Sequence, residues 1–106
     1  MAKPVDVGCK AFQTAIAVLG RPWTAAILGS LQGGEVRYSE LAERCRGIGD
    51  KILSARLKDL EKRSLVVRRV ERGPPVRVSY ALTKRGEAFR QVAEAIERWG
   101  RELVAR

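Results

Sequence analysis

Apolar residues recur at helical spacing along the first part of the chain and predict three helices. The first helix ends at Gly20-Arg21-Pro22, and its apolar positions are Cys9, Phe12, Ile16 and Leu19. The second has Thr24 as its N-cap and Gly33-Gly34 as its end, and its buried face contains Ile27, Leu28 and Leu31. The third stops at Gly47 and faces inward through Tyr38, Leu41, Ala42 and Cys45.

The fourth predicted helix, from about Gly49 to Arg63, has two distinct faces. Its apolar face contains Leu53, Leu57 and Leu60. Its opposite face is small and basic and consists of Lys51, Ser54, Ala55, Lys58 and Lys62. A helix that enters the major groove of DNA needs small residues beside the bases and cations beside the phosphates. The pattern therefore favours groove binding, although an ordinary solvated helix face has the same composition.

After Leu65 the hydrophobic period changes from helical to alternating, which predicts a β-hairpin. Its strands run over residues 66–72 and 76–82, with Val76, Val78, Tyr80 and Leu82 on the inward side of the second strand. Gly73-Pro74-Pro75 forms the turn, because proline cannot donate to a strand ladder. Arg72 and Arg77 flank this tip, where they can meet phosphate or the minor groove or simply be solvated, and Arg68 and Arg69 add to the same field.

The order of these elements predicts one domain over residues 1–106, of α+β class and mostly helical. A helix-turn-helix at about 38–63 is followed by a wing at about 65–82, which is the layout of a winged helix-turn-helix protein that binds DNA.

A last helix, at about 83–104 with Thr83 as N-cap, has an apolar stripe longer than a small domain needs for its own core. The stripe consists of Phe89, Val92, Ala93, Ile96, Trp99 and Leu103. It predicts dimerisation; the alternative is that the helix folds back on its own domain through Phe89 and Val92, and both hold if the last three residues face a partner. A two-fold dimer would place paired half-sites about 34 Å apart and require a pseudopalindromic operator.

The composition of the chain limits the kinds of binding partner that it favours. The 106 residues include 21 Lys and Arg against 12 Asp and Glu, a formal charge of +9, which favours a polyanion such as nucleic acid or an anionic membrane surface over a merely soluble surface. No apolar run approaches the roughly 20 residues that span a bilayer, and residues 1–7 lack the apolar region of a signal peptide. We expect a cytoplasmic protein with no membrane partner.

The chain contains no His and two Cys, which limits its chemistry. Without imidazole the common Ser-His, Cys-His and zinc sites are not available. Cys9 and Cys45 do not have zinc-ligand spacing and are too few for a secreted disulfide framework. We therefore expect no enzyme, metal site or cofactor.

Several motifs in the sequence resemble those of the HxlR-type bacterial and archaeal transcriptional regulators, a branch of the winged-helix proteins. The match covers Cys9 to Trp99, and its motifs are Cys9, Leu19-Gly20-Arg21-Pro22-Trp23-Thr24, Ile27-Leu28 with Leu31, Arg37-Tyr38-Ser39-Glu40-Leu41, the run Gly47 to Glu61, Leu65-Val66, Pro74-Pro75-Val76 and Tyr80 to Gly86. Each motif is weak alone, but their order and spacing are specific. One departure is Gly49, where similar proteins usually have Ser or Thr as the helix N-cap; glycine serves there at a small cost. A second is the slightly looser connection at Gly33-Gly34-Glu35.

The resemblance implies a homodimer that pairs through its N- and C-terminal helices, with its fourth helices in successive major grooves. The corresponding DNA contacts would be Lys51, Ser54, Ala55 and Lys58 from that helix and Arg72 and Arg77 from the wing. Arg56 would face phosphate or brace the helix. The residues expected at the dimer interface are Phe12, Ile16, Ile96, Trp99 and Leu103.

The resemblance also makes Cys9 a candidate sensor of oxidants or electrophiles, since similar regulators use a cysteine at this position. The neighbouring Lys10 favours a reactive thiolate, but Cys9 also continues an apolar stripe and can be inert packing. Cys45 lies on an inward face and is expected to pack in the core. A small apolar ligand in a dimer crevice lined by Phe12, Trp23 and Trp99 is an alternative signal, although these aromatic residues also fit a core.

Two classes of function remain from the sequence. The first is a sequence-specific regulator of transcription that binds double-stranded DNA, with the small basic helix face as its signature. The second is a winged-helix interaction module that binds protein or RNA through its basic surface. Salt-dependent binding with strong sequence preference distinguishes the first from the second.

Overall fold

The computed structural model describes residues 2–106, and in that range the chain forms six helices and three strands. In chain order they are α1 (Lys10–Leu19), α2 (Thr24–Ser30), β1 (Val36–Arg37), α3 (Tyr38–Arg44), α4 (Asp50–Lys62), β2 (Val66–Glu71), β3 (Arg77–Leu82), α5 (Lys84–Glu87) and α6 (Phe89–Val104). Helices α3 and α4 are the helix-turn-helix, and the antiparallel β2–β3 hairpin is the wing. The predicted winged-helix fold is therefore confirmed.

The core is built around the apolar face of α4. Leu53, Leu57 and Leu60 are fully or almost fully buried, as their spacing predicts. They belong to one cluster with Ile27, Leu28, Leu31, Val36, Leu41, Cys45, Ile48, Val66 and Tyr80. Burial of each large aliphatic side chain contributes about 1.5–3 kcal/mol, so this face fixes the orientation of α4 and turns its basic face outward.

The sheet contains a short strand, β1, that the alternating pattern did not reveal. Its two residues pair with β3, Val36 opposite Tyr80 and Arg37 opposite Ser79, to give the order β1-β3-β2. Just before β1, the Glu35 carboxylate accepts hydrogen bonds from Ser79 and from Arg69, whose Nη1 lies 2.6 Å from Oε1. These bonds, that from Ser79 first, lower the pKa of Glu35 and connect the loop to both strands of the wing.

Two local predictions were wrong. The N-cap of α2 is Trp23, with a left-handed φ of 71°, whereas Thr24 is the first helical residue and its side chain is buried. Val76 was expected on the inward side of the second strand, but the strand begins at Arg77 and the Val76 side chain is 66% exposed. The last strand pair is Glu71 with Arg77, so Val76 belongs to the turn and does not follow the inward and outward alternation of the strand.

The predicted C-terminal helix begins as expected but is interrupted. The Thr83 hydroxyl accepts from the Gly86 N–H at 3.1 Å and donates to the Ser64 carbonyl oxygen at 2.6 Å, which confirms its capping role. A turn at Ala88 then separates α5 from α6. Gly86 packs so closely on the Leu65 carbonyl that a Cβ atom would overlap it, so the short helix α5 is pressed against the wing.

The chain exposes much more surface than a compact monomer of its size. Its accessible area is 8114 Å² for 11.8 kDa, against about 5,900 Å² expected for a monomeric globular chain. Its radius of gyration is 15.7 Å, against about 13 Å for a compact domain of this length. Neither α1 nor α6 has a buried residue. None of the helices described has the length and apolar content needed to cross a bilayer.

Candidate nucleic-acid interface

The outer face of α4 presents every residue that its periodicity placed there. Lys51, Ser54, Ala55, Lys58 and Lys62 are all exposed. The N-cap residue of α4 is Gly49, whose φ of 77° and ψ of 148° lie in a region that favours glycine, and no side chain caps the helix. The carboxylate of Asp50 in the first turn complements the positive end of the helix dipole.

A groove of about 1180 Å³ runs between the N-terminus of α3, the outer face of α4 and the wing. Ser54 and Lys58 of α4 line this groove together with Arg77 of the wing. Three more cations line it, Arg37, Lys62 and Arg68, against a single carboxylate, that of Glu61. This excess gives the groove a positive potential. Lys51, Ala55 and Arg72 are exposed but are not part of its lining.

The two arginines at the start of the wing take different roles. Arg68 lines the groove and is the cross-strand partner of Tyr80. Burial raises the pKa of Tyr80, an effect that the neighbouring Arg68 reduces, so this phenol stays protonated at neutral pH. Arg69 instead pairs with Glu35 and helps to fix the wing. Only one of the two neighbouring arginines therefore adds to the charge of the groove.

Arg56 makes the hydrogen bond of a bracing residue. Its Nε donates to the carbonyl oxygen of Pro22 at 2.9 Å, and its side chain is partly buried. The bond joins α4 to the connection between α1 and α2. Of the two roles that the sequence suggested for Arg56, this geometry matches the bracing role, and the guanidinium is not part of the groove lining.

Tyr38 is a groove residue that the sequence pattern did not identify, because its ring belongs to the inward face of α3. The ring packs partly against the core and lies 6.5 Å from that of Tyr80. The hydroxyl reaches outward to the first turns of α4, 3.1 Å from Oδ1 of Asp50 and 3.4 Å from Oγ of Ser54. A phenol commonly places an apolar ring inside and its polar tip in water, which is the signal that could have identified it.

The two cysteines occupy contrasting environments, and both are free thiols. Cys9 is the N-cap of α1, where its Sγ accepts from the Phe12 N–H at 3.3 Å, and it is partly exposed. Cys45 is buried in the core, as expected, and burial raises the pKa of its thiol. Cys9 is therefore the more accessible thiol.

The residues expected at a dimer interface form exposed apolar surface on α1 and α6. Phe12, Ile16, Ile96, Trp99 and Leu103 are between 36% and 64% exposed. Phe89, at the start of α6, packs against the core, so the fold-back interpretation holds for that residue, whereas Val92 is 44% exposed. Phe12, Trp23 and Trp99 do not line the groove beside α4.

Comparison with known proteins places this geometry in context. Residues 18–106 match the HxlR-like helix-turn-helix family. The chain is 34% identical over 96 residues to the uncharacterized HTH-type transcriptional regulator YvaP of Bacillus subtilis, covering 91% of this chain and 89% of that protein. It is 35% identical over 91 residues to the HTH-type transcriptional regulator YodB of the same organism, covering 86% and 81%.

Solved structures show the same architecture. The reduced form of YodB from B. subtilis superposes with a TM-score of 0.81 at 33% identity, covering 91% of this chain and 94% of that chain. Quinone-bound YodB gives 0.79 at 32% identity, with coverage of 89% and 98%. The redox regulator HypR in its oxidized form gives 0.80 at 26% identity, with coverage of 89% and 96%.

Proposed function

The chain belongs to the HxlR-like helix-turn-helix family of DNA-binding transcriptional regulators, and we propose that it acts as a homodimer on a pseudopalindromic operator. The observation that carries the proposal is the basic groove in which Ser54 and Lys58 of α4 meet Arg77 of the wing. A duplex lying across this groove places α4 in the major groove and the wing beside it.

Each proposed DNA contact has a distinct physical task. Ser54 and Ala55 are small enough to let the base edges approach α4, while Lys51 and Lys58 neutralise flanking phosphates. Arg72 and Arg77 project from the wing tip toward the backbone or the minor groove. Arg56 contributes indirectly, since its bond to Pro22 holds α4 against the α1–α2 connection.

The exposed faces of α1 and α6 support the homodimer. The chain exposes about 2,200 Å² more than expected for a compact monomer, or about 4,400 Å² for two copies, which lies within the range that obligate homodimer interfaces remove from water. Burying the apolar stripe of α6 against a second copy accounts for a helix that has no buried residue of its own. A two-fold axis there presents two α4 helices to one face of the duplex.

Replacement of Lys58 by alanine tests the DNA-binding proposal. Loss of one phosphate contact per subunit should make the negative slope of log Kobs against log salt shallower by about 0.9 per subunit, without lowering the melting temperature. The matched control is Lys84→Ala, which removes the same charge from an exposed position outside the groove. Binding is measured by fluorescence anisotropy on the duplex upstream of the protein's own gene and on a scrambled duplex.

The outcome also separates the two classes of function. Equal weakening by both lysine substitutions would contradict a groove-specific role for Lys58. Salt-dependent binding of the wild-type protein with no preference between the duplexes would favour the alternative, a module that binds protein or RNA.

Cys9 supports a second element of the proposal, control by oxidants or electrophiles. Its partly exposed Sγ is the hydrogen-bond acceptor that caps α1, so oxidation or an adduct removes that cap from a helix with an exposed apolar face. Structures of the relative YodB include quinone-bound and diamide-treated forms, and HypR is named a redox regulator. We expect quinone to change operator affinity in the wild type and not in Cys9→Ser, which retains a capping oxygen. A response that persists in Cys9→Ser would favour the small apolar ligand in a dimer crevice instead.

A further inference from the structure

The hydroxyl of Tyr38 connects the two helices of the helix-turn-helix at the edge of the groove. It lies 3.1 Å from Oδ1 and 3.5 Å from the backbone carbonyl oxygen of Asp50, and 3.4 Å from Oγ of Ser54. Ser54 is exposed on the small basic face of α4. The side chain proposed to approach the bases is therefore already engaged with a residue of α3.

The number of available protons fixes the direction of this network. The phenol has a single O–H to donate, and both oxygen atoms of Asp50 within its reach can only accept. When the phenol donates to Oδ1 of Asp50, its shortest contact at 3.1 Å, the Tyr38 oxygen can only accept from the hydroxyl of Ser54. In that arrangement the proton of Ser54 points at Tyr38, and the lone pairs of its Oγ remain available to the groove.

The Tyr38 ring is held in place for this role. It packs against the core on one side and lies 6.5 Å from the ring of the buried Tyr80, tilted by 50°. Such aromatic pairs stabilise a defined ring orientation. The hydroxyl therefore keeps its position relative to α4 before any ligand binds.

We propose that Tyr38 determines base specificity by fixing Ser54 as a hydrogen-bond acceptor toward the major groove. A free serine hydroxyl can donate or accept and so contacts any base pair. An oriented acceptor is complementary to the exocyclic amino groups of adenine and cytosine and not to the O6 and N7 of guanine or the O4 of thymine. Tyr38 is thus a positioning residue that acts through Ser54, and the inference rests on the proposed binding of α4 to duplex DNA.

The effect is expected on discrimination and not on general affinity. A single neutral hydrogen bond changes an equilibrium constant by about 2- to 12-fold. At one position of each half-site the wild-type protein should therefore prefer the base-pair orientation that places the amino group of adenine or cytosine toward Ser54 over the reversed pair by that factor. Tyr38→Phe, which keeps the ring and removes only the hydroxyl, should flatten the preference there and leave the salt slope unchanged.

The experiment begins with selection of binding sites for the wild-type protein from a randomised duplex pool. Dissociation constants are then measured by fluorescence anisotropy for all four base pairs at each position of the selected half-site. The variants are Tyr38→Phe, Ser54→Ala and the double substitution, with melting temperatures recorded for each. Tyr80→Phe is the matched control, because it removes the hydroxyl of the other tyrosine in the groove, which has no side-chain hydrogen bond with Ser54 in the part of the chain that the structure describes.

The expected result is that both single substitutions flatten discrimination at the same position, that the double substitution adds nothing further, and that Tyr80→Phe leaves that position unchanged. Additive effects of the two single substitutions, uniform weakening at every position, or equal binding by the wild-type protein of each base pair and its reversed pair throughout the half-site would overturn the role of Tyr38 while leaving the DNA-binding proposal intact. Failure of the wild-type protein to enrich any sequence would instead overturn the proposed function itself, and the inference with it.

Discussion

Replacement of Trp99 by alanine should dissociate the proposed homodimer. Trp99 lies toward the end of α6 and is 64% exposed, beside the similarly exposed Ile96 and Leu103. In a monomer the indole of Trp99 remains largely in water, because Trp99 does not belong to the core cluster. If α6 pairs with a second copy, the indole is the largest side chain that the interface buries, and aromatic residues of this kind commonly dominate binding energy.

The size of the effect follows from the exposed area. Burying the exposed part of the indole removes roughly 150 Å² of surface per subunit, within the range for aromatic side chains. At about 25 cal/mol per Å² this is worth about 3–4 kcal/mol, and the two copies together give about 7 kcal/mol as an upper bound. If the indole contributes only about 3 kcal/mol to the net free energy of dimerisation, its loss in Trp99→Ala raises the dimer Kd about 100-fold.

Sedimentation equilibrium over a range of concentrations measures this change directly. The matched control is Arg98→Ala, since residue 98 is exposed on the opposite face of α6 and the substitution also truncates a long side chain. Circular dichroism should show the same helical content in all three proteins, because Trp99 is not part of the core. A Trp99→Ala dimer as tight as the wild type, or a wild type that stays monomeric at high concentration, would refute the role assigned to α6.

Two further predictions concern single groups. Because hydrogen bonds from the sheet lower the pKa of Glu35 below its usual value of 4.5, its ionised form stabilises the fold above about that pH, and the contribution is lost as the pH falls through the depressed value. Glu35→Gln should therefore show a smaller loss of melting temperature between pH 5 and pH 3, and an unchanged acid profile would contradict the stabilising role of the bonds that Glu35 accepts from Ser79 and Arg69. In the native protein a thiol-alkylating reagent should modify the partly exposed Cys9 before the buried Cys45, which should react only on unfolding; mass spectrometry of timed samples would expose the reverse order.

The parts of the fold that the sequence predicted correctly depend on long periodic segments. The two faces of α4 follow from a regular rotation of about 100° per residue, so the leucines had to be buried together once one of them was. The wing follows from alternation along β3, with β2 as its antiparallel mate. In both cases many side chains favour the same arrangement, so a local exception does not change it.

The errors lie where few residues carry the signal or where tertiary contacts decide. β1 has two residues, too short for any period to appear, and it is a strand because Val36 is buried against Tyr80. Thr24 has the preferred chemistry of an N-cap, but its side chain is buried and the unfavourable left-handed conformation falls on Trp23. Packing of the α1–α2 connection prevailed there over local propensity.

The sequence predicted which face of α4 belongs to the candidate site, but it did not predict the side-chain hydrogen bonds made there. Helical geometry alone places Ser54 and Lys58 outward, whereas the bond between Arg56 and Pro22 spans 34 residues and that between Tyr38 and Ser54 spans 16. Such bonds depend on how whole elements dock, which no local pattern encodes. This is why the sequence left the role of Arg56 open and assigned Tyr38 to the interior only.

Net charge is a poor measure of the charge that DNA encounters, because many of the arginines bind the chain itself. Arginines 44, 56, 85 and 90 each donate to a backbone carbonyl oxygen, and Arg69 pairs with Glu35. In the part of the chain that the structure describes, no lysine of α4 takes part in an ion pair. A planar guanidinium with five donors suits the bracing of carbonyls, whereas a lysine remains a mobile point charge that exchanges easily with counterions. The salt dependence of DNA binding should therefore reflect the few cations of α4 and the wing, and a slope that required most of the 21 basic residues would contradict this division.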